Sequence, residues 1–256
     1  MVAFSGADPI AVLIGAKRPS GTLVHKIAVH PDHQRQGHGR HLLASLGSKL
    51  AILGPPRMVA EVPAALATVQ ALLRASGYIE EALLTDYVLQ LDSGGSRASD
   101  QDGRSSRAPA GFVIPVTVDD LAANGLLDEA HLQVCWERSL ETLMARKDEI
   151  RGLAVASDER IEAYVLYVGA GVNSHGNDDP AHRDTSATAE ILSLCTFVED
   201  EGARLSQLLA RIRLQGVRTL RFPKVHPAEV LNELVEALGF LPAVGHLRYA
   251  ATAQSA

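Results

Sequence analysis

The chain has 256 residues, room for one large domain or two of about 130 each. It is 46% hydrophobic and 21% charged, which excludes an intrinsically disordered chain, and its net charge of −6 argues against a nucleic-acid partner. Two cysteines, Cys135 and Cys195, exclude a disulfide scaffold and a thiolate zinc site of the usual count. No apolar stretch approaches the roughly 20 residues that span a bilayer. The opening MVAFSGADPI has neither a basic flank nor a long apolar run, so no signal peptide and a cytoplasmic location are expected, with no membrane partner.

In chain order, Ile10–Ala16 and Thr22–Val29 read as strands rich in Val, Ile and Leu, with a turn at Lys17–Gly21. A helix is expected from Gly37, with Leu42, Leu43, Leu46, Leu50 and Leu53 on one stripe and Gly54-Pro55-Pro56 as its stop. Arg57–Val62 reads as a strand. Pro63 opens a second helix, with Leu66, Val69, Leu72 and Leu73 buried and Gly77 after its end. Leu83–Leu91 closes this segment.

Asp92–Gly111 is polar and lacks periodicity, so it reads as a flexible linker and domain boundary. Beyond it, Phe112–Val118 reads as a strand and Leu126–Ile150 as one helix or two. Gly152–Ser157 and Arg160–Val168 form a hairpin, and Gly169–Thr188 a long loop. Glu190–Phe197 is a strand, followed by a helix on Leu205, Leu208, Leu209 and Ile212. Then come the strand Val217–Phe222, a helix opened by Pro227, and the strand His246–Thr252. Both halves run strand, helix, strand, helix, Gly-aromatic, strand, with Gly77-Tyr78 and Gly239-Phe240 at matching points. The order predicts an internal duplication over 1–91 and 112–256. The first copy lacks the opening strand and helices that the second has at Phe112–Ile150.

The chemistry sits at the end of the second strand. Val29-His30-Pro31 runs into Gln34-Arg35-Gln36-Gly37-His38-Gly39-Arg40, which leads into the amphipathic helix. Amides of a glycine turn at a helix N-terminus converge on an anion, and the helix dipole favours negative charge there. Arg35 and Arg40 add cationic donors suited to phosphate. The Gly-Lys-Ser/Thr of a P-loop is absent, and the third glycine of a dinucleotide fingerprint is replaced by Leu42.

Strand, turn, glycines and helix together resemble the GNAT acetyltransferase superfamily. The specific motif covers roughly 20 residues and the looser resemblance about Ile10–Leu91. The resemblance implies an α/β (α+β) chain of two GNAT-like domains. Each would be a mixed, mostly antiparallel sheet with a splayed parallel pair flanked by helices. It also implies acetyl-CoA as co-substrate with no metal: the diphosphate on the amides of Arg35 to Arg40, the pantetheine arm along Ile27, Ala28 and Val29, and the thioester near the Val29 end. The expected reaction moves the acetyl group to a primary amine of a small molecule or peptide. The positions at which the family often carries a Glu base and a Tyr acid hold Leu23 and Leu73 here. His25 is the candidate base, two residues before Ile27 on the same strand face. The alternative is a non-catalytic acyl-CoA-binding or interaction module.

In the second copy, Glu199, Asp200 and Glu201 stand where a diphosphate would go, and only Gly202 of the glycines remains, so no cofactor is expected there. The second domain, or a second chain in a homodimer, is expected to cover the side left open by the missing elements. Of the ten histidines, His25, His30, His33, His38 and His41 cluster around the motif without the spacing of a metal site. Cys135 and Cys195 read as core residues.

Overall fold

A computed structural model describes residues 1–91, 111–127, 134–169 and 188–253. Residues 92–110 of the expected linker and 170–187 of the expected long loop lie outside these. The chain forms two compact units: Met1–Leu84 with Val244–Ala256, and Thr85–Ala243.

The first unit opens with β1 (Val2–Ser5), a strand whose brevity hid it in the sequence, followed by β2 (Asp8–Lys17) and β3 (Thr22–Val29). Then come α1 (His38–Leu53), β4 (Arg57–Pro63), α2 (Ala67–Ala75) and the first half of β5 (Ile79–Gln90). The order β1-β2-β3-β4 is antiparallel except for β3 and β4, which are parallel. The strand that completes it comes from the far end of the chain. β11 (Leu241–Thr252) pairs antiparallel with β4 from His246 opposite Pro63 to Thr252 opposite Arg57. Leu42, Leu43, Leu46 and Leu50 of α1 pack with Leu13, Met58, Leu73, Tyr78 and Tyr249 in one core.

The second unit runs β6 (Phe112–Val116), α3 (Val118–Ala123), α4 (Leu140–Ala145), β7 (Arg151–Ala156), β8 (Ile161–Gly169), β9 (Thr188–Thr196), α5 (Ala203–Leu214), β10 (Thr219–Val225) and α6 (Asn232–Ala237). Its far edge is β5, paired antiparallel with β10 from Gln90 opposite Thr219 to Thr85 opposite Val225. Among the described residues of this unit only β9 and β10 are parallel. Leu205, Leu208, Leu209 and Ile212 of α5 line the core on one face. On the other, α3 and α4 cover Ala154, Tyr164, Leu166 and Leu192. The hairpin β1-β2 is the counterpart of β7-β8, and among the described residues the first unit has nothing equivalent to β6, α3 and α4. Val2, Phe4 and Ile14 are exposed there.

Three elements depart from the sequence reading, each for a local reason. Pro63 ends β4 instead of opening α2, because the next amide, Ala64 N–H, donates to Gly245 O at 2.8 Å. The helix expected from Pro227 starts only at Asn232, because Glu229 is drawn inward to Arg138. The long helix expected over Leu126–Ile150 is, from residue 134 on, a 3₁₀ turn at Trp136–Arg138, then α4, then a second turn at Lys147–Glu149. The buried Arg138 side chain breaks its regularity. The repeated Gly-aromatic pair is a helix stop. Gly77 and Gly239 adopt φ of 82° and 90°. The following amides, Tyr78 and Phe240, donate back to Leu73 O at 3.0 Å and Val235 O at 3.2 Å, and both aromatic side chains are buried.

Candidate active site

Strands β3 and β4 pair only at Thr22 with Met58 and Leu23 with Val59, then diverge. From Val24 to Val29, β3 therefore has one open edge. His30 N–H donates to Ile10 O at 2.8 Å. Alternation along an antiparallel ladder then turns the backbone groups of Ala28 toward β2 and those of Ile27 and Val29 toward the open side. The register of β2 against β3 jumps from Ile14–Lys26 to Gly15–Val24, leaving His25 as the unpaired residue of a β-bulge.

The open edge forms one wall of a cavity of about 640 Å³. Ile27, Ala28 and Val29 line it from β3, Gln34, Arg35, Gly37, His38, Gly39 and Arg40 from the turn and α1, and Ala67, Thr68, Val69, Ala71 and Leu72 from α2. Of the expected site residues, Gln36 and His25 are not among the lining ones. The bulge also interrupts the alternation that would have put His25 and Ile27 on one face, and His25 is exposed. The α2 wall was missed. Val69 and Leu72 lie on an apolar stripe that reads as core, but the splay leaves them only partly buried.

The turn is held open by its own residues. Gln34 Nε2 donates to Val29 O at 3.2 Å and Gln36 Nε2 to Asp32 O at 3.1 Å, so both glutamine side chains brace the loop. Gly37 is the N-cap of α1 at φ 87°, a left-handed conformation that costs glycine little. The first helical bond is His41 N–H to Gly37 O, so the amides of His38, Gly39 and Arg40 have no acceptor among the described residues. A Cβ on Gly39 would come within 3.1 Å of Leu72 Cδ2, so any larger residue would make the Leu72 side chain give way by a few tenths of an ångström. No hydrogen bond or ion pair engages the Arg35 and Arg40 side chains among the described residues, and no carboxylate lines the cavity. Three free amides, two uncommitted guanidinium groups and a strand edge engaged only at Val29 O suit a ligand with a phosphate end and an extended amide arm.

Leu23 and Leu73 are 5% and 1% exposed, parts of the core. Tyr78 is buried, its hydroxyl donating to Met58 Sδ at 3.6 Å, and burial pushes its phenol up to about 12. It does not line the cavity.

The second unit repeats the frame and fills it. β9 and β10 pair only from Thr188 to Glu190, and Gly202 caps α5 at φ 82°. Here the Asp200 carboxylate accepts the amides of Gly202 at 3.1 Å and Arg204 at 2.9 Å. The Arg204 guanidinium holds that carboxylate at 3.0 Å and also pairs with Glu162. A side chain thus takes the position of an external anion. Burial pushes the Cys195 thiol up to about 11, with the Glu229 charge adding to it, which disfavours the thiolate.

Residues 1–78 match the acetyltransferase (GNAT) family. This segment is a GNAT domain. The GNAT match ends before β11, the strand that completes the unit. No curated protein matches the chain. Solved structures show the same fold over its whole length. A GCN5-related glucosamine N-acetyltransferase region of a fungal multi-domain GH3 β-N-acetylglucosaminidase aligns at 12% identity and TM-score 0.65, covering 96% of this chain and 32% of that one. The chain thus spans about a third of that protein's length. A tandem GNAT protein from the clavulanic acid biosynthesis pathway aligns at 19% identity and TM-score 0.58, covering 100% of this chain and 82% of that one. A GCN5-related N-acetyltransferase from Anabaena variabilis aligns at 12% identity and TM-score 0.60, covering 99% and 62%. The chain has the tandem GNAT fold: α/β, mixed sheet with flanking helices. No helix among the described residues is long and apolar enough to cross a membrane.

Proposed function

We propose that the protein is an N-acetyltransferase that moves an acetyl group from acetyl-CoA to a primary amine, with one cofactor site per chain, in the first unit. The observation that carries this reading is a single cavity that joins the free amides of α1 to the open edge of β3. The diphosphate is held by the amides of His38, Gly39 and Arg40 and by Arg35. Because that turn directly follows Val29, the pantetheine arm runs back along β3 from Val29 past Ile27. The thioester then lies toward the bulge at His25 and not near Val29, the end expected from the sequence.

The thioester supplies the acyl group. The amine nitrogen bonds to its carbonyl carbon, the C–S bond breaks, and the proton lost by the amine balances the thiolate that leaves. The protein's part is to hold the carbonyl in reach and to remove that proton. With Leu23 and Leu73 in the core, His25, at the bulge but outside the cavity lining, is the candidate for that transfer. The same two leucines favour the second reading, a module that binds acyl-CoA without turnover.

Titration calorimetry with acetyl-CoA tests the site. Wild type is expected to bind one molecule per chain, and Gly37→Trp, which fills the turn, none. Absence of wild-type binding, or binding unchanged by the substitution, overturns the assignment. A screen of amines with thiol release as readout separates the two readings. Turnover that His25→Ala lowers at least tenfold supports catalysis by this residue, and turnover abolished by Gly37→Trp excludes the non-catalytic module.

A further inference from the structure

One face of the first unit's sheet carries apolar residues that the chemistry above does not use. Ala11 and Leu13 of β2 belong to the core beneath α1, so Val12 and Ile14 lie on the opposite face. Val2 stands opposite Val12 across β1, and Ala28 and Lys26 stand opposite Val12 and Ile14 across β3, which puts all three on that same face. In the second unit the equivalent face is covered by α3 and α4. Here Val2, Phe4 and Ile14 are 49%, 60% and 48% exposed. A pocket of about 380 Å³ opens there, with Val2, Ile10, Val12, Ala28, Val29 and Pro31 in its walls. Of the described residues that line it, His30 alone is ionisable. Ala28 and Val29 also line the cofactor cavity, so one strand separates the two spaces.

Resting on the cofactor reading above, we propose that this pocket holds the apolar tail of the acceptor, so that the preferred acceptor is a primary amine on an extended apolar chain. α1 and α2 close the cofactor cavity on their own side, so an acceptor reaches the thioester from the bare face. With the thioester toward the bulge at His25, the amine nitrogen lies at that end of β3 and the pocket at the other. The separation from His25 to Ala28 is about 10 Å along the strand. Ile14 and Val12 form the apolar path between them, and a chain of about eight carbons covers it. Charge favours the same class. Lys26, opposite Ile14, puts a cation beside the path, which opposes a second ammonium group along it. Asp8 and Asp32, chain neighbours of Pro9 and Pro31, are exposed and do not line the pocket. Burial of methylene groups against Val2, Val12 and Ala28 is then what distinguishes one amine from another.

The test is calorimetry of butylamine, hexylamine, octylamine and 1,8-diaminooctane on the CoA-saturated full chain, with thiol release from acetyl-CoA followed for the same amines. Affinity and kcat/KM are expected to rise about threefold per methylene as the chain reaches the pocket, which puts octylamine at least about tenfold above butylamine. The diamine should fall below octylamine. Val12→Asp, which sets a carboxylate in the pocket, should flatten the series while CoA binding stays at the wild-type level. Thermal melts show whether this variant is folded. If it is not, Val2→Asp, a change at an exposed position on the rim, takes its place. A flat wild-type series overturns the proposal, whether or not thiol is released. A preference for the diamine overturns it too, because recognition would then rest on Asp8 and Asp32, as does a series that the folded variant leaves unchanged. Failure of wild type to bind CoA overturns the cofactor reading instead, and the same series on the free protein then decides whether the pocket takes an apolar tail.

Discussion

A single arginine shapes much of the second unit. The Arg138 side chain is fully buried, its guanidinium bonded to both oxygens of Glu229, to Lys224 O at 2.8 Å and, through Nε, to Cys135 Sγ at 3.3 Å. It also lies over the Phe222 ring, 4.7 Å from the centroid. Burial alone would lower its pKa, but the Glu229 charge and the Cys135 sulfur outweigh that and hold it above the ordinary arginine value. Arg138→Met leaves a buried carboxylate without its counter-charge, held among the described residues only by the His226 amide at 3.4 Å. It is expected to cost about 3–5 kcal/mol in chemical denaturation, and adding Glu229→Leu should recover most of that loss. A double variant no more stable than the single would show that packing, not charge pairing, sets the cost. None of this was legible, since an arginine bound for the core looks in sequence like any surface arginine. Gly37 and Gly39 were legible, because the left-handed turn and the close contact with Leu72 leave few residue types that fit.

Helix starts divide the two units as elements. α1 begins with bare amides, and α5 begins with amides already bonded to Asp200. Burial alone would raise the Asp200 carboxyl, but the bonds from Arg204 and from the two amides outweigh it, and its pKa lies below the usual aspartate range. A depressed native pKa means that this contribution is complete above the unfolded value of about 3.9 and fades as pH falls through the native one. Asp200→Ala is therefore expected to destabilise the protein at neutral pH by about 1 kcal/mol, as loss of a helix-start acceptor does. The gap from wild type should narrow on acidification below pH 4. A gap that stays constant across that range would remove Asp200 as the acid-sensitive group. The erosion of this turn was readable from its three carboxylates, but the self-capping by Asp200 was not, because it depends on Arg204 folding back with Glu162 beside it. The helix stops were readable at Gly77 and Gly239, where a left-handed glycine and a buried aromatic do the same local work in both copies.

At the scale of the molecule, sequence order and spatial grouping part company. The boundaries expected from the repeated order of elements, 1–91 and 112–256, differ from the compact units, Met1–Leu84 with Val244–Ala256 and Thr85–Ala243. Tyr249 on β11 is fully buried in the first unit's core, and Tyr87 and Leu89 on β5 belong to the core of the second. The pattern of apolar residues along a strand states that it is buried on a face and is silent about which neighbour it pairs with. A fragment of residues 1–91 lacks the partner of β4 and the ring that seals its core. It is expected to show neither cooperative melting nor dispersed amide resonances. A fragment that folds and binds CoA would prove β11 dispensable. The same arrangement orders events at the ribosome. The residues that line the cavity are made well before β11, so the sheet beside them stays unfinished until synthesis has passed Thr252, and a product stopped before that point carries every lining residue but not the strand that pairs with β4.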